Sequence, residues 1–501
     1  MFEIDAHDPS NPSPRRRRAS VLATSAACEW RSLRFDLGWW SALAASALCV
    51  AYAVSVGRAR VEQRSAAVAQ ARADETDRLA RLTDLLRKIE RGEAPAPDAP
   101  YRDPRNAAYV GRGQGAAAVA LEDLPTAPLA SGLSDLYPQV IKVASGPKDG
   151  FLFTDEIANP TRLLGGEFDF AFVVVFLFPA ILIALGHDVL SAEREQGTLA
   201  MTLAASASLT VVLVGKLIVR LGGVVVVVLG TLVAGLAASG FDFARGTPAL
   251  LIAAAAVVIY AAFWTSLILL VNSFGLSSAM NATSLAVAWP ALILVAPAAI
   301  SAWAEVVHPA PARSLMILAV RSAAVDVERE RAAAEDRFRD EHAPRSDSFA
   351  GPIADARTRE TLAVTIAADR RADEILAEQE EQARRRRGLA ERLAFALPPA
   401  LLHDALEEIA GNGRTRWDDF LERIDRFHGE WKAFFFEPAS RGAALTTADY
   451  ARFPRFPQDP ASARIPDRGL LRIAGELFAV ALLSLLCFLP AHLRLRRPTP
   501  G

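Results

Sequence analysis

The sequence predicts an all-α polytopic membrane protein with six transmembrane helices and two mostly helical extracytoplasmic regions. Six strongly apolar runs, each long enough to cross a bilayer, are the main basis for this prediction. The chain has 501 residues, of which 52% are hydrophobic and 22% charged, so neither a bare helical bundle nor an ordinary soluble enzyme fits the composition. The predicted spans are 37–56, 168–186, 209–240, 248–271, 285–304 and 473–492.

The first apolar run is predicted to be an uncleaved membrane anchor. Four arginines at 15–18 precede it, and a charged helix follows it where a signal peptide would have a small-residue cleavage site. Residues 1–36 are expected to form an amphipathic N-terminal segment. Beyond residue 57, an intermittent apolar stripe predicts that the helix continues outward until Gly92 and the proline-rich stretch 94–100 end it.

Basic residues beside the spans predict the orientation of the chain. Lys216 and Arg220 open the third run, where we expect them to reach the lipid headgroups, so the hydrocarbon part of that span is placed at 221–239. With six crossings, most basic clusters lie on one side, and the positive-inside rule makes that side cytoplasmic. Arg58 and Arg60 count against this orientation but are outnumbered.

The expected location is therefore a bacterial cytoplasmic membrane, with both chain termini inside. The segments predicted to be cytoplasmic are 1–36, 187–208 and 493–501. The segments predicted to be extracytoplasmic are 57–167 and 305–472. The three cysteines lie in or beside the first and last apolar runs, so we expect no disulfide bond in either extracytoplasmic region.

Most of both extracytoplasmic regions is predicted to be helical. Residues 321–342 and 357–395 are charged helices whose Arg/Glu-rich stretches we interpret as solvated faces rather than ligand sites. Residues 417–436 carry aromatic side chains at close to helical spacing. Residues 133–143 are also expected to be helical.

An acid-rich segment at 190–203 separates the second and third apolar runs and is predicted to form a short helix on the cytoplasmic face. A helix in that position turns apolar side chains toward the spans and polar ones toward water. The apolar side chains assigned to the spans are Leu190, Leu199, Met201 and Leu203. Glu193, Glu195 and Gln196 are expected to project into the cytoplasm. The pattern alone leaves open whether this is a docking surface or an ordinary charged loop.

Residues capable of catalysis form no recognisable active site. Gly215 and Lys216 are followed by leucine and lack the first glycine of a P-loop, and Gly111–Gly115 has the wrong spacing for a dinucleotide fingerprint. Two histidines have an acidic residue nearby: His403 with Glu407, and His428 with Glu430. Each is more typical of a surface or capping histidine than of a zinc ligand. We therefore predict no catalytic and no metal-binding residue, and a net charge of −2 indicates no nucleic-acid partner.

Charged residues are almost absent from the interiors of the predicted spans. Asp169, Asp188 and Glu476 lie near span ends, where we expect them to reach water. Because ion and proton pathways require ionisable groups inside the membrane, this distribution argues against proton-driven transport.

The order of the parts, together with two short motifs, indicates a family. Ser-Ala-Glu-Arg-Glu-Gln-Gly-Thr-Leu stands at 191–199 and Gly-Lys-Leu at 215–217. This arrangement resembles the permease subunit of ABC-2 type transporters. The subset with large extracytoplasmic insertions after the first and fifth spans carries segments similar to those at 134–138, 155–160, 402–411 and 427–431.

That resemblance implies a permease that exports a substrate but is not itself an enzyme. A separate P-loop ATPase subunit would bind ATP and Mg, with no cofactor on this chain, and a second permease copy or a homologous permease would complete the route. The residues implied in coupling to the ATPase are Glu193, Glu195, Gln196, Gly197, Thr198 and Leu199. The alternative is a membrane-anchored sensor or scaffold whose extracytoplasmic domains bind a partner. A membrane hydrolase is disfavoured by the missing catalytic motifs.

Overall fold

The computed structural model confirms an all-α polytopic membrane protein, because its described residues include six helices long and apolar enough to cross a bilayer. The structure describes residues 14–135, 138, 140–146, 168–201, 208–309, 313–331, 333, 336–337, 356–457 and 464–496. The motif at 155–160 and the end of the charged stretch at 338–342 lie outside the described residues.

The helices are labelled in chain order. In the first half they are α1 (Pro14–Leu33), α2 (Leu37–Glu90), α3 (Phe170–Phe172, a π-helical turn at Val173–Leu177, and Phe178–Gly186), α4 (Ser191–Glu195), α5 (Leu209–Ala238) and α6 (Phe243–Asn272). In the second half they are α7 (Ser278–Pro290, a π-helical turn at Ala291–Val295, and Ala296–Val307), α8 (Arg313–Arg329), α9 (Ala356–Ala394), α10 (Pro398–Ala410), α11 (Arg414–Ser440) and α12 (Asp467–Leu495). The six candidate spans lie in α2, α3, α5, α6, α7 and α12.

Helix α2 joins the membrane to the polar part of the molecule. It begins at Asp36, whose carboxylate accepts hydrogen bonds from the N–H groups of Gly38 and Trp39, and it has 54 residues. At 1.5 Å per residue it is about 80 Å long, whereas the hydrocarbon core of a bilayer is only about 30 Å thick. The structure thus confirms that the helix of the first span continues far beyond the membrane, and it ends close to the predicted Gly92.

The polar domain consists of α2 beyond residue 57, residues 91–135 and 140–146, α11 and residues 441–457. Its core is aromatic: Trp417, Phe420, Ile424, Phe427, Trp431 and Phe435 of α11 are all buried. They pack with Leu86 of α2 and with the apolar residues of a small sheet. The aromatic spacing predicted for 417–436 is therefore a core-facing stripe.

The polar domain also contains a two-stranded antiparallel sheet, β1 (Ala117–Val119) and β2 (Ile141–Val143). The prediction of a helix over residues 133–143 is therefore wrong at the C-terminal end of that range. Ile141 and Val143 are buried while Lys142 between them is exposed, which is the two-residue period of a strand rather than the period of a helix. A 3₁₀ turn occupies Gly132–Asp135.

Several short elements complete the polar domain and its surroundings. They are one-turn helices at Ala107–Tyr109 and Thr447–Tyr450, 3₁₀ turns at Pro100–Arg102 and Ala127–Leu129, and a π-helical turn at Val110–Gln114. Helices α8 and α9 pack against each other, and α9 also contacts the end of α7. Helix α10 packs against α6 and α12 and touches the beginning of α3, so it covers the ends of these spans on the side of the polar domain, here called the domain side.

Within the membrane part, α6 packs against α12, α3 and α5, and α1 lies along α5. Asp36 and the α6–α7 loop lie at span ends away from the polar domain, on what is here called the opposite side. A proline in α3 shows how sequence determines these contacts. Pro179 has no N–H for the carbonyl of Val175 four residues earlier, and the buried hydroxyl of Tyr260 in α6 donates to that carbonyl at 3.1 Å. Tyr260 thereby joins α6 to the irregular turn of α3.

Candidate functional site

The segment between the second and third spans folds into a compact unit, the Glu193 segment (residues 187–201 as described), on the opposite side of the membrane. After α3 ends, the backbone N–H of Leu190 donates to Asn272 Oδ1 at 3.3 Å, which ties the segment to the end of α6. Helix α4 then has only five residues. Gly197, at φ +74°, ends it, and the Thr198 N–H returns to the Glu193 carbonyl at 2.9 Å.

The structure corrects the orientation expected for Glu193. Its carboxylate does not project into water: the side chain is 12% exposed and pairs with Lys216 of α5. Because α4 follows α3 after a short turn, its first acidic residue faces the start of α5. Glu193 is therefore an internal contact between the segment and the third span.

Lys216 and Arg220 are also oriented differently from the prediction, since they reach acidic side chains rather than lipid headgroups. Arg220 forms ion pairs with Glu29 of α1 and, at 3.0 Å, with Asp188. Lys216 lies 3.9 Å from the second carboxylate oxygen of Glu29. The two basic residues are only 19% and 22% exposed, and Glu29 is 6% exposed. Two cations thus connect α1, α5 and the Glu193 segment.

Sequence reasoning missed Glu29 because its partners Lys216 and Arg220 are about 190 residues away in the chain. The glycine of the Gly-Lys-Leu motif at 215–217 was an indirect indication of a close helix contact at this point. A Cβ at Gly215 would lie 3.0 Å from Ser25 Cβ and 3.1 Å from the Leu22 carbonyl, so only glycine lets α1 approach this closely. Ser25 then donates to the Val212 carbonyl at 2.8 Å. The close approach of α1 brings Glu29 within reach of both cations.

The next two residues of α4 hold the loop between α6 and α7. Arg194 donates to the Gly275 carbonyl at 2.6 Å. Glu195 accepts from the backbone N–H of Ser278 at 2.7 Å and from its hydroxyl at 2.9 Å, so its carboxylate caps the first turn of α7. Glu195 is exposed, as predicted, but both of its oxygens are engaged within the chain.

The solvent-facing surface of the segment lies just beyond α4. Gln196, Gly197 and Thr198 are exposed, while Leu199 packs partly buried against the membrane core. Of the apolar residues assigned to the spans, Leu190 is buried as expected. Met201 is 74% exposed, contrary to its prediction, because the chain turns at Gly197 before reaching it. Leu203 lies outside the described residues.

The histidines considered as possible metal ligands contact other groups of the protein. His428 is buried, and its Nε2 lies 3.0 Å from the Gly146 carbonyl oxygen. His403 Nδ1 lies 3.2 Å from Glu407 Oε1 on one face of α10. Burial, with Asp404 nearby, raises the pKa of Glu407 to about 8, so its carboxyl favours the neutral form. Among the described residues, no group of three or more His, Cys, Asp or Glu side chains could hold a metal ion.

The acidic residues near span ends are less accessible than predicted. Asp169 is 4% exposed and begins α3, where it accepts from the Phe172 N–H at 2.8 Å and from the Ser131 N–H at 2.8 Å. Glu476 is 3% exposed and accepts from Arg472 at 3.0 Å. The polar domain and α10 cover these span ends, so protein groups take the place of water. Asp188 is partly exposed and pairs with Arg220.

Comparisons with known proteins agree with this architecture. A family model described as ABC-2 family transporter protein matches residues 31–334, which is more than half of the chain. A second model, described as a domain of unknown function (DUF3526), matches residues 313–458, the polar insertion between α7 and α12. No curated protein and no solved structure matches the chain. The residues matched by the first model include five of the six spans and the whole Glu193 segment, and the chain belongs to the ABC-2 family of transporter proteins.

Proposed function

We propose that this chain is the permease subunit of an ATP-driven exporter and that the Glu193 segment transmits the movement of a separate P-loop ATPase subunit to the spans. Membership of the ABC-2 family supports a permease that partners an ATPase subunit. The observation that carries the finer proposal is the set of contacts made by the segment. The short helix α4 and Leu190, the residue before it, are bonded at the same time to α5, to α6 and to the first turn of α7.

These contacts divide the segment into two functional parts. Glu193, Arg194 and Glu195 bind the permease itself, so they transmit a displacement and are poor candidates for docking. Gln196, Gly197 and Thr198 face solvent and form the surface offered to the ATPase. The positive φ of Gly197 produces the tight turn that presents them.

The proposed mechanism requires no bond chemistry in this chain. ATP binding closes the pair of ATPase subunits, and the docked turn moves with them. Because α4 is tied to three spans, a rigid-body shift of α4 changes the relative positions of α5, α6 and α7. A second permease copy or a homologous permease faces these helices across the route. The nucleotide alters the population of permease conformations through differential contacts.

The proposed orientation places both termini and the Glu193 segment in the cytoplasm of a bacterium and the polar domain outside. The basic residues near α1 and at the end of α12 support it through the positive-inside rule. In that orientation Gln196 faces the compartment that contains ATP.

A steric block of the exposed turn tests the docking proposal. Gln196→Trp adds bulk to a solvent-facing position without removing any of the internal pairs of Glu193 or Glu195. We expect the amount of P-loop ATPase co-purifying in mild detergent to fall at least about tenfold, equivalent to about 1.4 kcal/mol of binding free energy. The matched control is Gln70→Trp, an exposed glutamine on the polar domain, which should retain normal co-purification.

Two outcomes would contradict the proposal. Equal retention of the ATPase by the Gln196 and Gln70 variants would show that the turn is not the docking surface. If the wild-type chain brings down no P-loop ATPase at all, the membrane-anchored sensor or scaffold becomes the better hypothesis.

A further inference from the structure

A basic cavity of about 400 Å³ lies on the domain side, between the end of α7 and the last part of α9. It is lined by His308, Arg384, Arg385, Gly388, Leu389 and Arg392. The residues contributed by α9 recur at three- and four-residue intervals, so they share one face of the helix. His308 follows directly after the last residue of α7.

The cavity has an excess of positive charge. Arg384 and Arg385 share one acidic partner, Glu381, at 3.5 and 2.9 Å. Arg392 adds a third guanidinium. The side chains of Arg384 and Arg385 are 62% and 66% exposed, so they are available to an anion. Guanidinium groups match the oxygens of a phosphate through paired hydrogen bonds.

The neighbourhood of the cavity places it at the level of lipid headgroups. Trp303 and Val306, in the last two turns of the fifth span, are 61% and 76% exposed, and tryptophan concentrates at the membrane–water interface. At the other wall, Leu393 and Phe395 follow Arg392 and are also exposed. Exposed apolar side chains thus lie close in the sequence to the lining residues on both walls of the basic cavity.

We propose that this cavity binds the phosphate headgroup of an anionic phospholipid from the leaflet on the domain side, with the acyl chains lying along α7. Free phosphate shares the headgroup chemistry, but the exposed apolar side chains of Trp303, Val306 and Phe395, close in the sequence to the lining residues, favour a ligand with a hydrocarbon part. The arginines of α9 thus serve as a lipid-binding surface, in contrast to the solvated face expected from the sequence. This site does not depend on ATPase coupling.

The space beside Gly388 supplies an independent way to test the site. A Cβ placed on Gly388 meets no atom within 4 Å, so a large side chain there extends into open space without a clash at its base. Gly388→Trp therefore fills the cavity while every arginine stays in place. Arg385→Gln with Arg392→Gln removes charge while leaving the cavity open.

The experiment uses the purified full chain and native mass spectrometry, with phosphatidylglycerol and phosphatidylcholine offered in equal amounts. We expect the wild type to retain phosphatidylglycerol preferentially, and each of the two variants to bind it at least about tenfold more weakly. The control, Arg87→Gln with Arg91→Gln, removes two exposed arginines at the far end of α2 and should bind like the wild type. A second series adds inorganic phosphate, which should not displace the lipid.

Three results would overturn the proposal. Unchanged retention in both cavity variants would show that the lipid binds elsewhere. Equal retention of the two lipids would exclude recognition of an anionic headgroup. Complete displacement by millimolar inorganic phosphate would identify a soluble anion as the ligand of these arginines.

Discussion

The ion pair between Glu29 and Arg220 makes a quantitative prediction about how α1 is held against the spans. Arg220→Gln removes the closest cationic partner of a carboxylate that is 6% exposed. Breaking a fully buried pair costs about 3 to 5 kcal/mol, since a charge is left uncompensated. Lys216 remains 3.9 Å from Glu29, and the Arg220 side chain is 22% exposed, so solvent and the second cation reduce the expected loss to about 2 to 3 kcal/mol.

Thermal unfolding of the purified protein in detergent measures this loss. For a cooperative unit of about 200 residues, 2 to 3 kcal/mol corresponds to a fall in the unfolding midpoint of about 4 to 12 °C. The double variant Glu29→Gln, Arg220→Gln removes both charges, and we expect it to recover at least about 1 kcal/mol relative to the sum of the single variants. The exposed Arg58–Glu62 pair on α2 is the matched control, for which the same substitutions should change stability by no more than about 1 kcal/mol.

The proposed stabilisation by the Glu29–Arg220 pair would be refuted if the effects of the two single substitutions were additive. If Glu29→Gln and Arg220→Gln combine without a coupling energy above about 0.5 kcal/mol, the two groups do not stabilise each other. Shifts no larger than those of the Arg58–Glu62 control would lead to the same conclusion. In either case α1 would be held by its apolar contacts, by the close approach at Gly215 and by the hydrogen bond from Ser25 to the Val212 carbonyl.

Two further predictions concern groups whose partners only the fold reveals. Tyr260→Phe leaves the Val175 carbonyl without its donor and should destabilise the protein by about 1 to 3 kcal/mol in the same assay. The control Tyr52→Phe, at an exposed position, should change the stability little. Equal effects of the two substitutions would contradict the role of the Tyr260 hydroxyl. Because burial raises the pKa of Glu407 to about 8, its stabilising contribution is complete below about pH 4.5 and is lost as pH rises through 8. Glu407→Gln should therefore lose less stability than the wild type between pH 6 and 9, and parallel pH profiles would disprove this.

The six spans were accessible from the sequence because each span must satisfy its own backbone hydrogen bonds. Length and hydropathy therefore indicate a span without knowledge of its neighbours. The long outward continuation of α2 was equally visible, since proline and glycine mark its end. The helix predicted at 133–143 failed because β2 forms only by pairing with β1, and the alternation of Ile141, Lys142 and Val143 is too short to identify a strand.

The Glu193 segment shows most clearly which features depend on the sequence alone and which depend on the tertiary structure. The sequence by itself determined that an acid-rich helix would lie between two spans, because hydropathy and helix-forming residues are local properties. Only the tertiary structure decided that Glu193 turns inward to Lys216, that Glu195 caps α7, and that Gln196, Gly197 and Thr198 are exposed to solvent. The direction of a charged side chain depends on which opposite charge lies within a few ångströms. The packing of α1 against α5 brings Glu29 and Arg220 that close. The two residues are far apart in the sequence, so no local pattern indicates their contact.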